Sequence, residues 1–178
     1  MMFDELAIRK QVQWNGKQNV GFVNMGTGID DDSLPLATEV LMFLVTPLNS
    51  AWKITIAYFL TDGLSMDVKA NLVKEAIIHL HDANIRVAAI VCDGPSTNFS
   101  VGVKLGADLS VVNMKPYFSH PCNDTWNVYL VFDAAHMLKL MHILTSLHST
   151  FIIYYIIHSI MYYNTYIIVL YMYNTYNV

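Results

Sequence analysis

Val87-Ala88-Ala89-Ile90-Val91-Cys92-Asp93-Gly94-Pro95-Ser96-Thr97-Asn98 decides the fold. A short, continuous apolar run stops at a carboxylate. Such a run suits a strand covered on both faces. Asp93-Gly94-Pro95-Ser96 then turns the chain into a short helix that ends near Gly106. On the N-terminal side, Ser65 can cap a longer helix, with Asp67 in its first turn, where the helix dipole favours a carboxylate. Leu72, Val73, Ala76, Ile77 and Leu80 form one helical face, with Lys69, Lys74 and Glu75 outside it. Asp82-Ala83-Asn84 closes that helix.

Further out, the period changes from helix to strand. Residues 2–12 have strand-like apolar positions, Asn15-Gly16 is a turn signal, and Val20–Met25 reads as the next strand. Gly26–Ser33 is a polar loop, Glu39–Thr46 an apolar strand, and Pro47–Ser50 a break. Trp52–Leu60 alternates, with Trp52, Ile54, Ile56, Tyr58 and Leu60 on one face and Lys53, Thr55, Ala57 and Phe59 on the other. Past Gly106 comes a long loop with Pro116 and Pro121, then a buried strand Val128–Phe132, then a helix from Asp133. The order is antiparallel strands, helix, strand, helix, strand, helix. It predicts an α/β fold, a mixed sheet with flanking helices.

Acids sit in or at the ends of three of these strands: Asp4 in the first, Asp93 after Val87–Cys92, and Asp133 after Val128–Phe132. A carboxylate emerging from an apolar strand is costly unless it is paired, hydrogen-bonded or bound to a cation. Mg²⁺ takes carboxylate oxygens and keeps several waters, and two such ions can serve both ends of a phosphodiester displacement. The strand order can place Asp4 and Asp93 on adjacent central strands. The plainer readings stand beside this one. Asp93 can be an Asx turn or cap, and Asp133 a helix N-cap. Glu5 should face away from Asp4 as a surface acid. Asp30–Asp32 reads as a solvated loop, and Gly26-Thr27-Gly28 as a turn without the lysine and length of a P-loop. His79 and His81 cannot share a helical face. His136 can touch Asp133 one turn away. Trp14 and Trp52 read as packing residues.

Six separated segments, in order, resemble the P-element and THAP-nine type of DNA transposase. They are Phe3–Ile8, Val20–Gly26, Trp52–Gly63, Ala70–Val73, Cys92–Asn98 and Asp133–Lys139. The resemblance covers about residues 2–139. It implies an RNase H-like fold and divalent-metal catalysis with Mg²⁺ or Mn²⁺. It also implies cut-and-paste transposition of transposon-end DNA by a transposase oligomer, and nuclear localisation. The family's first catalytic, metal-binding acid matches Asp4 and its second matches Asp93. Asp133 and His136 match its D-x-x-H segment near the junction with a GTP-binding insertion. The family's third acid, a Glu beyond that insertion, has no counterpart here. Neither do the GTP-binding domain, the zinc DNA-binding domain or the oligomerisation segment. The expectation is therefore a fragment of the catalytic domain, inactive alone. The alternative is a non-enzymatic, transposon-derived interaction or regulatory remnant. Nothing in the sequence marks which residues touch nucleic acid.

The composition divides at the same place. Every Lys, Arg, Asp and Glu lies at or before Lys139, and every Gly and Pro at or before Pro121. Residues 1–139 read as a globular domain, and 140–178 as a low-complexity, Ile/Tyr-rich apolar tail of doubtful structure, read as translation past a splice boundary. Eight of the eleven tyrosines follow Leu147. The tail has about the length of a bilayer span, but His158, Asn164 and Thr165 interrupt it and no basic flank follows. A membrane anchor is the minor reading. The net charge of -4 shows no bulk basic face for DNA. Cys92 and Cys122 make neither a disulfide framework nor a zinc set; Cys92 reads as a buried thiol and Cys122 as a free loop thiol. Asp4, Glu5, Arg9 and Lys10 interrupt any apolar leader.

Overall fold

The computed structural model describes residues 1–26, 33–94, 96–110 and 112–145, with side chains described up to residue 139. Of the apolar tail, residues 140–145 belong to the last described helix, and residues 146–178 lie outside the described residues. The described elements are β1 (Met2–Ala7), β2 (Gln13–Trp14), β3 (Asn19–Val20), β4 (Glu39–Val45), β5 (Ile54–Thr61), α1 (Met66–Asp82), β6 (Ala89–Cys92), α2 (Ser96–Leu105), β7 (Tyr117–His120), β8 (Asn123–Phe132) and α3 (Ala134–Thr145). β2 and β3 form a small hairpin, and the other strands hydrogen-bond in the order β5-β4-β1-β6-β8-β7. The chain divides into two compact units, Met1–Ile90 and Val91–Val178, so β6 begins in the first and ends in the second. The expected mixed sheet with flanking helices is present.

In the first unit, β1 pairs antiparallel with β4, and β4 with β5. Strand alternation sends Phe3, Leu41, Phe43 and Val45 inward, where all are buried. Phe43 meets Phe3 and, edge-on, Phe59, with ring centroids 6.0 Å apart in both pairs. α1 starts as its sequence dictates: the Ser65 hydroxyl accepts the Val68 N–H at 3.3 Å. It stops where Asn84 takes a positive φ of 60°. Val73, Ile77 and Leu80 on its inner face are buried, as expected.

Two charged residues depart from expectation. Lys69, expected outside the apolar face, is buried, and Glu5, expected at the surface, is half-buried. Lys69 Nζ donates to Glu5 Oε2 at 2.7 Å. The pair sets α1 on the face of β1 that carries Phe3 and Glu5. The lysine's aliphatic stem can lie in the core while its ammonium reaches the carboxylate. The tryptophans also depart. Trp14 is 62% and Trp52 48% exposed, so neither is a core packing residue.

In the second unit, β7 and β8 form an antiparallel hairpin, and β8 is twice the length expected. The segment before Val128 reads as a loop in sequence because Pro116 and Pro121 flank it. Both prolines lie outside the strands, Pro116 just before β7 and Pro121 in the turn. Val101, Phe118, Val128 and Leu130 are buried. α2 lies close to β8 at Gly102, where a Cβ would come within 2.6 Å of Leu130 Cδ1. Phe99 and Phe132 stack with centroids 4.3 Å apart.

Breaking the inner ion pair on one side should be costly. Glu5→Ala leaves the Lys69 ammonium buried without its carboxylate and should destabilise the protein by about 3 kcal/mol. The double change Glu5→Leu with Lys69→Met should recover most of that loss. Urea unfolding midpoints of the three proteins test both statements.

Candidate functional site

Asp4 points away from Phe3 and Glu5, because successive strand residues face opposite sides. Its side chain is exposed, and its Oδ1 accepts the N–H of Glu5 at 2.9 Å. The register pairs Asp4 with Met42 and Met42 with Tyr58, so these three share one sheet face. On that face Met2, Leu6 and Tyr58 are 39, 50 and 68% exposed. A carboxylate in an open, largely apolar row has room for a hydrated cation.

Asp93 follows Cys92, the last residue of β6. α2 begins at Ser96, so Asp93 lies outside the cap position of that helix. Its partner is a side chain one turn inside α2: the Asn98 amide nitrogen donates to the Asp93 carboxylate and, at 3.3 Å, to the Asp93 carbonyl. Asn98 is only 6% exposed, and its amide oxygen has no hydrogen-bond partner among the described residues. A buried polar atom in that state is where a bound water or an ion's hydration shell would complete the bonding. Each aspartate offers hard oxygen donors of the kind a hydrated divalent ion takes, and an amide steers that of Asp93. Asn98 carries no role in the sequence reading. Its one signal there is a polar residue on the helical face that also holds Val101 and Gly102.

Asp133 is a helix cap, as its plainer reading expects. Its Oδ1 accepts the Ala135 N–H at 3.1 Å, and its Oδ2 lies 2.7 Å from His136 Nδ1. The His136 hydrogen bond, then the Ala135 N–H, hold the Asp133 carboxyl below the usual aspartate range. The Asp133 N–H donates to the Cys92 carbonyl at 2.8 Å, so Asp93 and Asp133 leave the ends of neighbouring strands within the second unit. The structure thus joins Asp133 to His136 directly and brings the backbone of Asp133 beside that of Cys92. Neither cysteine is in a disulfide; Cys92 is buried and Cys122 exposed.

Residues 1–106 match the family model described as TNP-like, RNase H N-terminal domain. The chain belongs to that family. It is 26% identical over 144 residues to the human DNA transposase THAP9, and 28% identical over 141 residues to the Drosophila melanogaster transposable element P transposase. Each match covers 79% of this chain but 16% of the relative, so the chain spans about a sixth of their length. A solved structure, the Drosophila P element transposase strand transfer complex, shares the fold with a TM-score of 0.57 at 24% identity. That match covers 78% of this chain and 27% of the other. The chain is therefore homologous to the RNase H-like portion of these transposases.

Above the ordinary aspartate range the ionised Asp133 stabilises the start of α3, and that contribution disappears as pH falls through its lowered pKa. A carbon-detected titration should place the Asp133 carboxyl midpoint below the ordinary aspartate value. In His136→Ala the midpoint should move up toward that value, and an unmoved midpoint would refute the assignment.

Proposed function

We propose that this chain supplies part of the metal-dependent phosphodiester chemistry of a P-element-type DNA transposase, with Asp4 and Asp93 as two of its metal-binding, catalytic carboxylates. The observation that carries the reading is the placement of these acids on β1 and directly after β6, strands that are neighbours in the sheet order. Asn98, Asp133 and His136 are positioning groups around the end of β6. A bound Mg²⁺ or Mn²⁺ would polarise the scissile phosphate and lower the pKa of the attacking water or hydroxyl. Asp4 and Asp93 would hold it, and the Asn98 amide would fix the Asp93 rotamer. Asp133 and His136 would hold the start of α3 beside that strand end.

The domain organisation follows the same reading. Residues 1–139 form the transposase-derived domain. Residues 140–178, which carry no formal charge when His is neutral, form a non-homologous extension. Transposon-end DNA, a transposase oligomer, GTP bound by an insertion outside this sequence, and a nuclear setting belong to the full-length relatives' chemistry and come to this chain as proposals. No helix of the described residues is long and apolar enough to cross a membrane.

Two carboxylates hold a metal pair more weakly than three, and a small misplacement is costly in rate. Mn²⁺ titration followed by calorimetry should show weak binding to the chain, weakened about tenfold or more in Asp4→Ala and in Asp93→Ala. With Mg²⁺ or Mn²⁺ and transposon-end DNA the chain alone should give no cleavage. Metal binding indifferent to both substitutions would overturn the metal assignment and leave a non-enzymatic interaction remnant as the better account. Asp93-dependent cleavage would overturn the inactivity.

A further inference from the structure

The chain is acidic overall, yet its charges are unevenly placed. Between Glu5 and Asp30 it has Arg9, Lys10 and Lys17 and no carboxylate, so three of its ten basic residues fall within one short segment. That segment is the β2–β3 hairpin and its approach, and every residue from Ile8 to Asn19 is exposed.

The hairpin is built to hold one shape. Asn15 Oδ1 accepts the N–H groups of Lys17 and Gln18 at 2.9 and 3.0 Å, and the Asn15 N–H donates to the Gln18 carbonyl at 3.1 Å. Gly16 takes the positive φ of 94° that this turn needs. At the base, Gly21 has a φ of 116°, and a Cβ there would lie 2.2 Å from the Gln11 carbonyl oxygen. The two arms therefore touch backbone to backbone. Lys17 is held at the tip, and Trp14, paired with Asn19 across the hairpin, is 62% exposed.

The second arm of the hairpin borders a cavity of about 410 Å³ lined by Gln18, Asn19, Phe22, Asn24, Tyr58 and Leu60, among others. None of the described lining residues carries a formal charge at neutral pH. Tyr58 is also the residue two strands from Asp4 in register, on the same sheet face. Two strand spacings put their backbones about 10 Å apart. The cationic hairpin thus borders a cavity whose exposed aromatic ring shares its sheet face with Asp4, all within the first unit.

We propose that this hairpin and cavity form a track for a DNA strand leading to Asp4. Arg9, Lys10 and Lys17 neutralise phosphates, and Tyr58 and Trp14 stack on bases. Lysine and arginine on phosphates give affinity without sequence preference, and an exposed aromatic ring beside amides is the platform single-stranded bases use. The inference rests on the transposase reading, and it names which residues meet the nucleic acid.

The test measures fluorescence anisotropy of labelled single- and double-stranded DNA with the full chain, in EDTA, across a salt series. Failure of metal binding at Asp4 and Asp93 therefore leaves this result unaffected, and the reverse also holds. The triple variant Arg9→Gln, Lys10→Gln, Lys17→Gln should bind duplex more weakly, with a salt slope shallower by about 2.7, three times the ~0.9 per phosphate contact. Tyr58→Ala should weaken single-strand binding roughly tenfold. Lys74→Gln, on the outer face of α1, should change neither. The substituted side chains are all exposed, and circular dichroism of each variant checks that it folds. The proposal is overturned if the triple variant and Tyr58→Ala bind as the unchanged chain does, or if the chain binds no DNA. Tighter binding to RNA of the same sequence, or to phosphatidylserine vesicles, would also overturn it.

Discussion

The Lys69–Glu5 ion pair fixes which side of β1 faces the helix, and the surroundings of Asp4 follow from that choice. Side chains alternate along a strand, so a slip of one residue exchanges every inward position for an outward one. With Phe3 and Glu5 turned toward α1, Asp4 must face the other way, in the same row as Met42 and Tyr58. A buried ammonium tolerates no other arrangement at low cost, because its carboxylate has to arrive from the strand. One polar contact inside the first unit thus sets the exposure of the carboxylate proposed to hold a metal, and of the face along which DNA is proposed to approach it.

The second unit solves a related problem by different means. Asp93 leaves the end of a strand whose neighbour, β8, ends at Asp133. The Asp133 N–H to the Cys92 carbonyl ties the two ends together. The acids then differ by environment. Asp133 is committed to the backbone and imidazole of α3, which keep it ionised. Asp93 is held by a neutral amide, which orients a carboxylate without neutralising it.

Much of this was legible in the sequence. The Ser65 cap, the inner face of α1, the apolar run ending at Asp93 and the Asp133–His136 contact each depend on residues within a turn or a strand of one another, where local rules suffice. The alternation in β5 was legible too, but not which of its faces is inside. Ile54, Ile56 and Tyr58 read as the more apolar row, yet Phe59 meets Phe43 in the core while Tyr58 is exposed. The register irregularity between Phe43 and Leu44 belongs to the pairing with β4 and leaves no mark in β5 alone. The burial of Lys69 is hidden from the local pattern for the same reason: the carboxylate it meets lies 64 residues away. Pro116 and Pro121 hid β7 because proline speaks against a strand, and here both stand just outside one. The apolar runs single out Asp4 and Asp93 and the family resemblance gives them a metal-binding role, whereas Asn98, which anchors the second of them, has a partner that no local pattern marks.

Gly102 has a reach beyond its own helix. It lets α2 lie so near β8 that Leu130 fills the space a methyl group would need. Leu130 lies three residues before Asp133 on the same stretch of chain, and Asn98 lies one turn before Gly102. A larger residue at this position would wedge helix and strand apart and shift both the amide that grips Asp93 and the strand end that carries Asp133. The spacing of the acidic groups in this half of the protein is thus set partly by a residue that has no side chain at all.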